Sequence, residues 1–81
     1  MSERTIKSPL PGTFYRRPSP EADPYVQEGD TVASGDVVGL VEIMKTFHEI
    51  HSDAAGRIAR FLVENSALVD AGQDIIALES D

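Results

Sequence analysis

The sequence predicts an all-β domain: two facing four-stranded antiparallel sheets related by a pseudo-two-fold axis. Three observations predict it. The first is an internal repeat. Ile6, Ser8, Gly12 and Arg16 recur 44 positions later as Ile50, Ser52, Gly56 and Arg60. Val26, Val32, Gly35 and Glu42 recur 37 positions later as Val63, Val69, Gly72 and Glu79. Apolar positions follow the same alignment: Phe14 with Ile58, Val38 with Ile75, Val41 with Leu78. The second is local. Short runs rich in Val, Ile, Phe and Leu are punctuated by Gly, Pro, Asp and Ser, as strands are. The third is that no window of helical length carries a clean 3.6-residue period.

Taken in order, strands are expected at 5–8, 12–16, 38–44, 46–52, 57–63 and 75–79, with short pieces at 31–32 and 68–69. Glu28-Gly29-Asp30 and Ser34-Gly35-Asp36 separate them with turn chemistry, Gly supplying positive φ and Asp capping locally. Asp70-Ala71-Gly72-Gln73 is the counterpart in the second half. The two repeats differ in shift by seven residues, which fall at Pro18, Ser19, Pro20, Glu21, Ala22, Asp23 and Pro24. Three prolines in that stretch exclude a helix or central strand, so a protruding loop is expected there. Loops on rigid scaffolds often carry function. Neither half buries its apolar face alone, so residues 1–81 read as a single domain.

Composition narrows the function. An 81-residue chain has a thin core and no room for a deep catalytic cleft. Without cysteine there is no disulfide, thiolate metal site or cysteine nucleophile. His48 and His51 fall on opposite faces of one expected strand, poor geometry for a shared metal, so none is expected. A net charge of −7 argues against nucleic acid or an anionic membrane as partner. No apolar run approaches the ~18 residues of a membrane span. Met1-Ser2-Glu3-Arg4 carries no apolar leader, and the expected location is cytoplasmic. A molecule of this kind carries or binds something and does not catalyse alone.

The junction of the repeats stands out. Ile43, Met44, Lys45, Thr46, Phe47, His48 and Glu49 lie between them, at the end of the molecule opposite the termini under the pseudo-two-fold. Outside the first 17 residues the only cationic side chains are Lys45, Arg57 and Arg60, and only Lys45 sits at an expected turn. That turn lacks Asn-Gly or Asp-Gly, so a tight connection there would be strained, and strain tends to persist where function needs it. With Ile50 pointing inward, parity turns His48 inward and Phe47, Glu49 and His51 outward. Met44 and Phe47 then form an apolar docking patch beside the lysine, unless either, Phe47 first, turns into the core.

These residues resemble a known family. Glu42-Ile43-Met44-Lys45 is similar to the E-x-M-K biotinylation motif of biotin carboxyl carrier proteins. Pro11-Gly12-Thr13-Phe14-Tyr15-Arg16 followed by Pro18-Ser19-Pro20 resembles the acetyl-CoA carboxylase type, whose protruding thumb falls where the seven-residue insertion lies. The likeness runs from about Ile6 to Glu79. It implies a flattened β-barrel, the biotinyl/lipoyl barrel-sandwich hybrid. It also implies biotin amide-linked to Lys45 by a biotin protein ligase. Glu42, Met44 and Thr46 would flank the attachment site, and the thumb, from Pro18 to Pro24, would lie near the biotin head. The carrier, itself non-catalytic, would serve a biotin carboxylase and a carboxyltransferase acting on an acyl-CoA, with acetyl-CoA the favoured one. The chain departs from the pattern at Thr46, where Met is usual, and at Ile43, where Ala is common. It also lacks the Pro/Ala-rich N-terminal extension common in that type. A lipoyl carrier and an unmodified interaction domain of the same fold are the alternatives. Lipoyl domains usually place Asp before the lysine and Ala after it, and lack the thumb.

Overall fold

The computed structural model describes residues 2–80. Eight strands follow one another: β1 (Ser2–Lys7), β2 (Gly12–Tyr15), β3 (Thr31–Val32), β4 (Val37–Ile43), β5 (Thr46–His51), β6 (Gly56–Phe61), β7 (Leu68–Val69) and β8 (Asp74–Ser80). All eight expected strands are present. The largest difference is β1, which begins earlier than expected because β8 pairs with it as far as Ser2↔Ser80. Among the described residues there is no helix, and so none long and apolar enough to cross a membrane.

The strands form two antiparallel four-stranded sheets, ordered β1-β8-β6-β3 and β5-β4-β2-β7. The repeats are not the sheets. Each repeat sends two strands to each layer: β1 and β3 join β8 and β6, while β2 and β4 join β7 and β5. This interleaving is the physical reason neither half closes a core by itself. The result is a flattened barrel of 38 × 26 × 20 Å.

The repeat extends to single hydrogen bonds. Ser8 and Ser52 are both buried, and each hydroxyl donates to the carbonyl two residues on, Leu10 O and Ala54 O, at 2.6 Å. Gly35 N–H donates to Ser52 O at 2.7 Å, and Gly72 N–H to Ser8 O at 2.8 Å. Gly29 N–H meets Ile58 O at 2.8 Å, and Ser66 N–H meets Phe14 O at 2.7 Å. The Asp36 carboxylate accepts from Ala33 N–H, as the Gln73 carboxamide does from Asp70 N–H, both at 2.9 Å. The core pairs likewise: Ile6 with Ile50, Phe14 with Ile58, Val32 with Val69, Val38 with Ile75 and Val41 with Leu78 are all buried in one cluster. Burying such side chains contributes roughly 1.5–3 kcal/mol each.

Candidate functional site

The β4–β5 hairpin closes on the pair Ile43↔Thr46, leaving Met44 and Lys45 as the whole connection. Both have positive φ, 49° and 67°. A two-residue hairpin needs positive φ at its central residues to follow the twist of its strands. Two side-chain-bearing residues in this left-handed region cost roughly 1–2 kcal/mol each. The strained junction turn expected from the sequence is therefore present. Met44 is 92% exposed, and Lys45 and Thr46 are exposed beside it. Among the described residues no hydrogen bond or ion pair engages Lys45; the other described ion pairs lie elsewhere, at Lys7–Asp74, Arg57–Glu79, Arg60–Glu3 and His51–Glu49. In the other repeat the equivalent of the closing pair is Ser2 with Ser80. The pseudo-two-fold thus exchanges the lysine tip with the two ends of the described chain.

Below the tip, the outer face of the second sheet carries Thr13, Tyr15, Leu40, Glu42, Phe47 and Glu49, as the registers Thr13↔Glu42↔Phe47 and Tyr15↔Leu40↔Glu49 require. The parity expected for β5 holds: Ile50 is buried, His48 half-buried, and Phe47, Glu49 and His51 exposed. Phe47 is 55% exposed and is not core. The Tyr15 hydroxyl donates to Glu42 Oε1 at 3.1 Å, and the Tyr15 and Phe47 rings sit 6.3 Å apart. That bond to a carboxylate, with some burial, raises the Tyr15 pKa above its ordinary value. Leu40 is only 6% exposed although its register places it on this outer face, apart from the main buried cluster.

The 18–24 loop stands beside this face. Tyr25 N–H donates to Arg16 O at 2.9 Å, closing the loop at its root. Burial and the nearby Glu49, Leu40's neighbour, raise the Tyr25 pKa. Pro18, Ser19, Pro20, Glu21 and Asp23 are exposed, but Ala22 and Pro24 are half-buried. The loop is exposed over most of its length, and its first residues, Pro18, Ser19 and Pro20, stand beside Tyr15 and Phe47 on the outer face of the second sheet. It leaves a groove of about 450 Å³ lined by Tyr15, Arg17, Pro18, Ser19, Pro20, Phe47, Asn65 and Ser66.

The structure therefore brings Lys45, Met44, Thr46, Glu42 and Phe47 together at one end, and joins Pro18, Ser19 and Pro20 to the groove beside them. Glu21, Ala22, Asp23 and Pro24 do not line that groove. Sequence reasoning missed Tyr15, Arg17, Asn65 and Ser66 as groove residues. A signal for part of the face was present in the repeat. Tyr15, Leu40 and Phe47 align with Ala59, Ala77 and Glu3, so one sheet carries large apolar groups on its outer face where the other carries small or charged ones. The first sheet's outer side is occupied by ion pairs instead, Arg60–Glu3, Arg57–Glu79 and Lys7–Asp74. Hydrogen bonds from Lys7 and Thr5 hold the Asp74 carboxyl below its usual range. His51 Nδ1 lies 2.8 Å from Gly35 O, and among the described residues no group of three or more His, Cys, Asp or Glu is placed to hold a metal.

Comparison with known proteins agrees with this architecture. A family profile described as "Biotin-requiring enzyme" matches residues 4–78. The biotin carboxyl carrier protein of acetyl-CoA carboxylase from Haemophilus influenzae is 38% identical over 79 residues, covering 98% of this chain and 51% of that protein. The protein of the same name from Porphyra purpurea is 41% identical over 76 residues, covering 94% of this chain and 48% of that one. The chain thus spans about half the length of these curated relatives. In fold, it resembles part of the Kluyveromyces lactis urea carboxylase, with a TM-score of 0.77, 24% identity, and coverage of 98% of this chain and 6% of that one. A single-chain long-chain acyl-CoA carboxylase gives the same TM-score at 22% identity, covering 98% of this chain and 7% of that chain. The family match leaves no strand wholly outside it, and the chain belongs to the biotin–lipoyl family described as biotin-requiring enzyme.

Proposed function

We propose that this chain is the carrier portion of a biotin-dependent carboxylase and that Lys45 takes the biotin in amide linkage. The observation that carries the reading is the exposed Lys45 on a two-residue turn, inside Glu42-Ile43-Met44-Lys45. Its amine fits the group: it is open to solvent, engaged by no described partner, and held on a rigid hairpin. Acylation needs the neutral amine, so a biotin protein ligase must help remove its proton. Bound biotin supplies a ureido nitrogen that carries a carboxyl group. The chain's own residues do the rest. The β4–β5 ladder fixes the base of the tether, and a fixed base keeps the effective concentration of a tethered group high. The exposed Met44 and Phe47 offer apolar contact to whichever enzyme approaches the tip.

The partners in this reading are a biotin carboxylase, which loads the carrier, and a carboxyltransferase, which unloads it; catalysis resides in them. Acetyl-CoA is the proposed acceptor, supported by the names of the relatives. The segment 18–24 is read as the thumb of this carrier type, and the location as cytoplasmic.

Intact mass after co-expression with a biotin ligase tests the reading. One biotin should be gained, and Lys45→Arg should abolish the gain. An unmodified wild-type chain, or a gain that survives Lys45→Arg, would overturn it.

A further inference from the structure

The groove beside the lysine tip is walled by three separate segments: the Tyr15 and Phe47 rings, the loop from Arg17 to Pro20, and the Asn65-Ser66 turn. One residue, Arg16, connects Tyr15, the root of the loop and the turn. Arg16 sits between Tyr15 and Arg17 in the chain. Its N–H donates to Asn65 Oδ1 at 2.8 Å. Its carbonyl accepts from Tyr25 N–H at 2.9 Å, where the loop rejoins the frame. Its guanidinium lies over the Phe61 ring, 3.9 Å from the centroid, reaching from the second sheet to β6 of the first.

The Arg16 Nε is buried and has no hydrogen-bond partner among the described residues. An unpartnered buried donor is unfavourable, so hydrogen bonding at Nε does not explain why the side chain lies there. The ring face beneath it does, through cation–π attraction and the preference of a flat guanidinium for a flat partner. The repeat supplies an internal control. Arg60, the counterpart of Arg16, is exposed and bonds both carboxylate oxygens of Glu3 at 3.1 and 3.3 Å. The residue aligned with Glu3 is Phe47, which offers no carboxylate. Arg16 instead lies on Phe61.

We infer that Arg16 is a positioning residue: clamped on Phe61, it fixes the loop and the 65–66 turn against Tyr15 and Phe47 and so sets the width of the groove beside Lys45. The use of the groove rests on the carrier function proposed above; the clamp does not.

Amide hydrogen exchange and ring-proton NMR on the unmodified 81-residue chain test this. Arg16→Lys keeps the charge and loses the flat fork. Phe61→Leu keeps apolar bulk and loses the ring face. In each, exchange at Tyr25 N–H should rise about tenfold or more, and the Tyr15 and Phe47 ring resonances should shift. Gly35 and Gly72 N–H, bonded to Ser52 O and Ser8 O at turns outside the groove, should exchange as in the parent. Phe61→Tyr retains the ring face and should behave as the parent. Unchanged Tyr25 exchange in both Arg16→Lys and Phe61→Leu overturns the clamp. So does an equal rise at Gly35 and Gly72, which would report general destabilisation. Lys45→Arg should leave all these readouts at parent values, so failure of the carrier reading would leave the clamp standing.

Discussion

The Tyr15 hydroxyl donates a 3.1 Å hydrogen bond to Glu42, three residues before Lys45 and in the strand that leads to it. The carboxylate favours the protonated phenol, which is why the Tyr15 pKa is raised. Tyr25, the other tyrosine, is raised too, by burial and then by Glu49. Ultraviolet titration of the native chain should therefore show both tyrosines ionising above the ordinary value of 10.0. Glu42→Gln should bring one of them down. The sign of the linkage follows: the native pKa is raised, so the bond's contribution to stability is complete below the unfolded pKa and lost as pH climbs through the native one. A Tyr15 titration unmoved by Glu42→Gln would mean that the bond does not persist in solution.

Gly12 and Gly56, aligned by the repeat, are each pressed against a backbone carbonyl. A Cβ on Gly56 would come within 2.5 Å of Glu79 O, and one on Gly12 would overlap Glu42 O and approach Val41 Cγ2 to 2.9 Å. Gly12→Ala and Gly56→Ala should each destabilise by about 1–3 kcal/mol, since only backbone movement relieves the overlap. For a domain of this size that lowers the melting temperature by about 4–8 °C per kcal/mol. Calorimetry of the two variants checks it. Gly29→Ala differs in kind, because nothing lies within 4 Å of its Cβ and the cost comes from its φ of 94° alone.

The Met44-Lys45 turn holds two non-glycine residues at positive φ. Replacing them by Asn-Gly, the pair that favours this turn, should stabilise the fold by roughly 1–2 kcal/mol. The same change removes the proposed attachment lysine. A higher urea midpoint with unchanged slope would show that the hairpin trades stability for a lysine at its tip. An unchanged midpoint would show that the turn carries no such strain.

The 18–24 loop has no counterpart in the second repeat. Deleting residues 18–24 should leave unfolding cooperative, because the second repeat closes its half of the barrel without such a loop. It should also remove the Pro18–Pro20 wall of the groove and leave Tyr15 and Phe47 more exposed. Loss of cooperative unfolding in the deletion would show that the loop is part of the barrel core.

Much of the architecture was legible because the repeat carries it. A matched Gly-and-Ser frame forces matched turns, and the matched turns return here bond for bond, as in Ser8 with Leu10 and Ser52 with Ala54. Phe47 was legible by parity, since Ile50 three residues on had to face the core. Asn65 and Ser66 were not legible as neighbours of Tyr15. They lie about 50 positions away in sequence, and neither type announces a groove.

By itself, the sequence determined the number and order of strands, the strained junction turn and the lysine at its apex. Those follow from periodicity, glycine placement and an alignment of the chain with itself, which are local or self-referential facts. Only the tertiary structure decided that each repeat is shared between both sheets and that Pro18, Ser19 and Pro20 wall a groove with Tyr15 and Phe47. It alone placed Arg16 on Phe61. Each of these depends on which surfaces meet when two interleaved halves close on one core, and that is settled by packing across the barrel rather than by any stretch of chain.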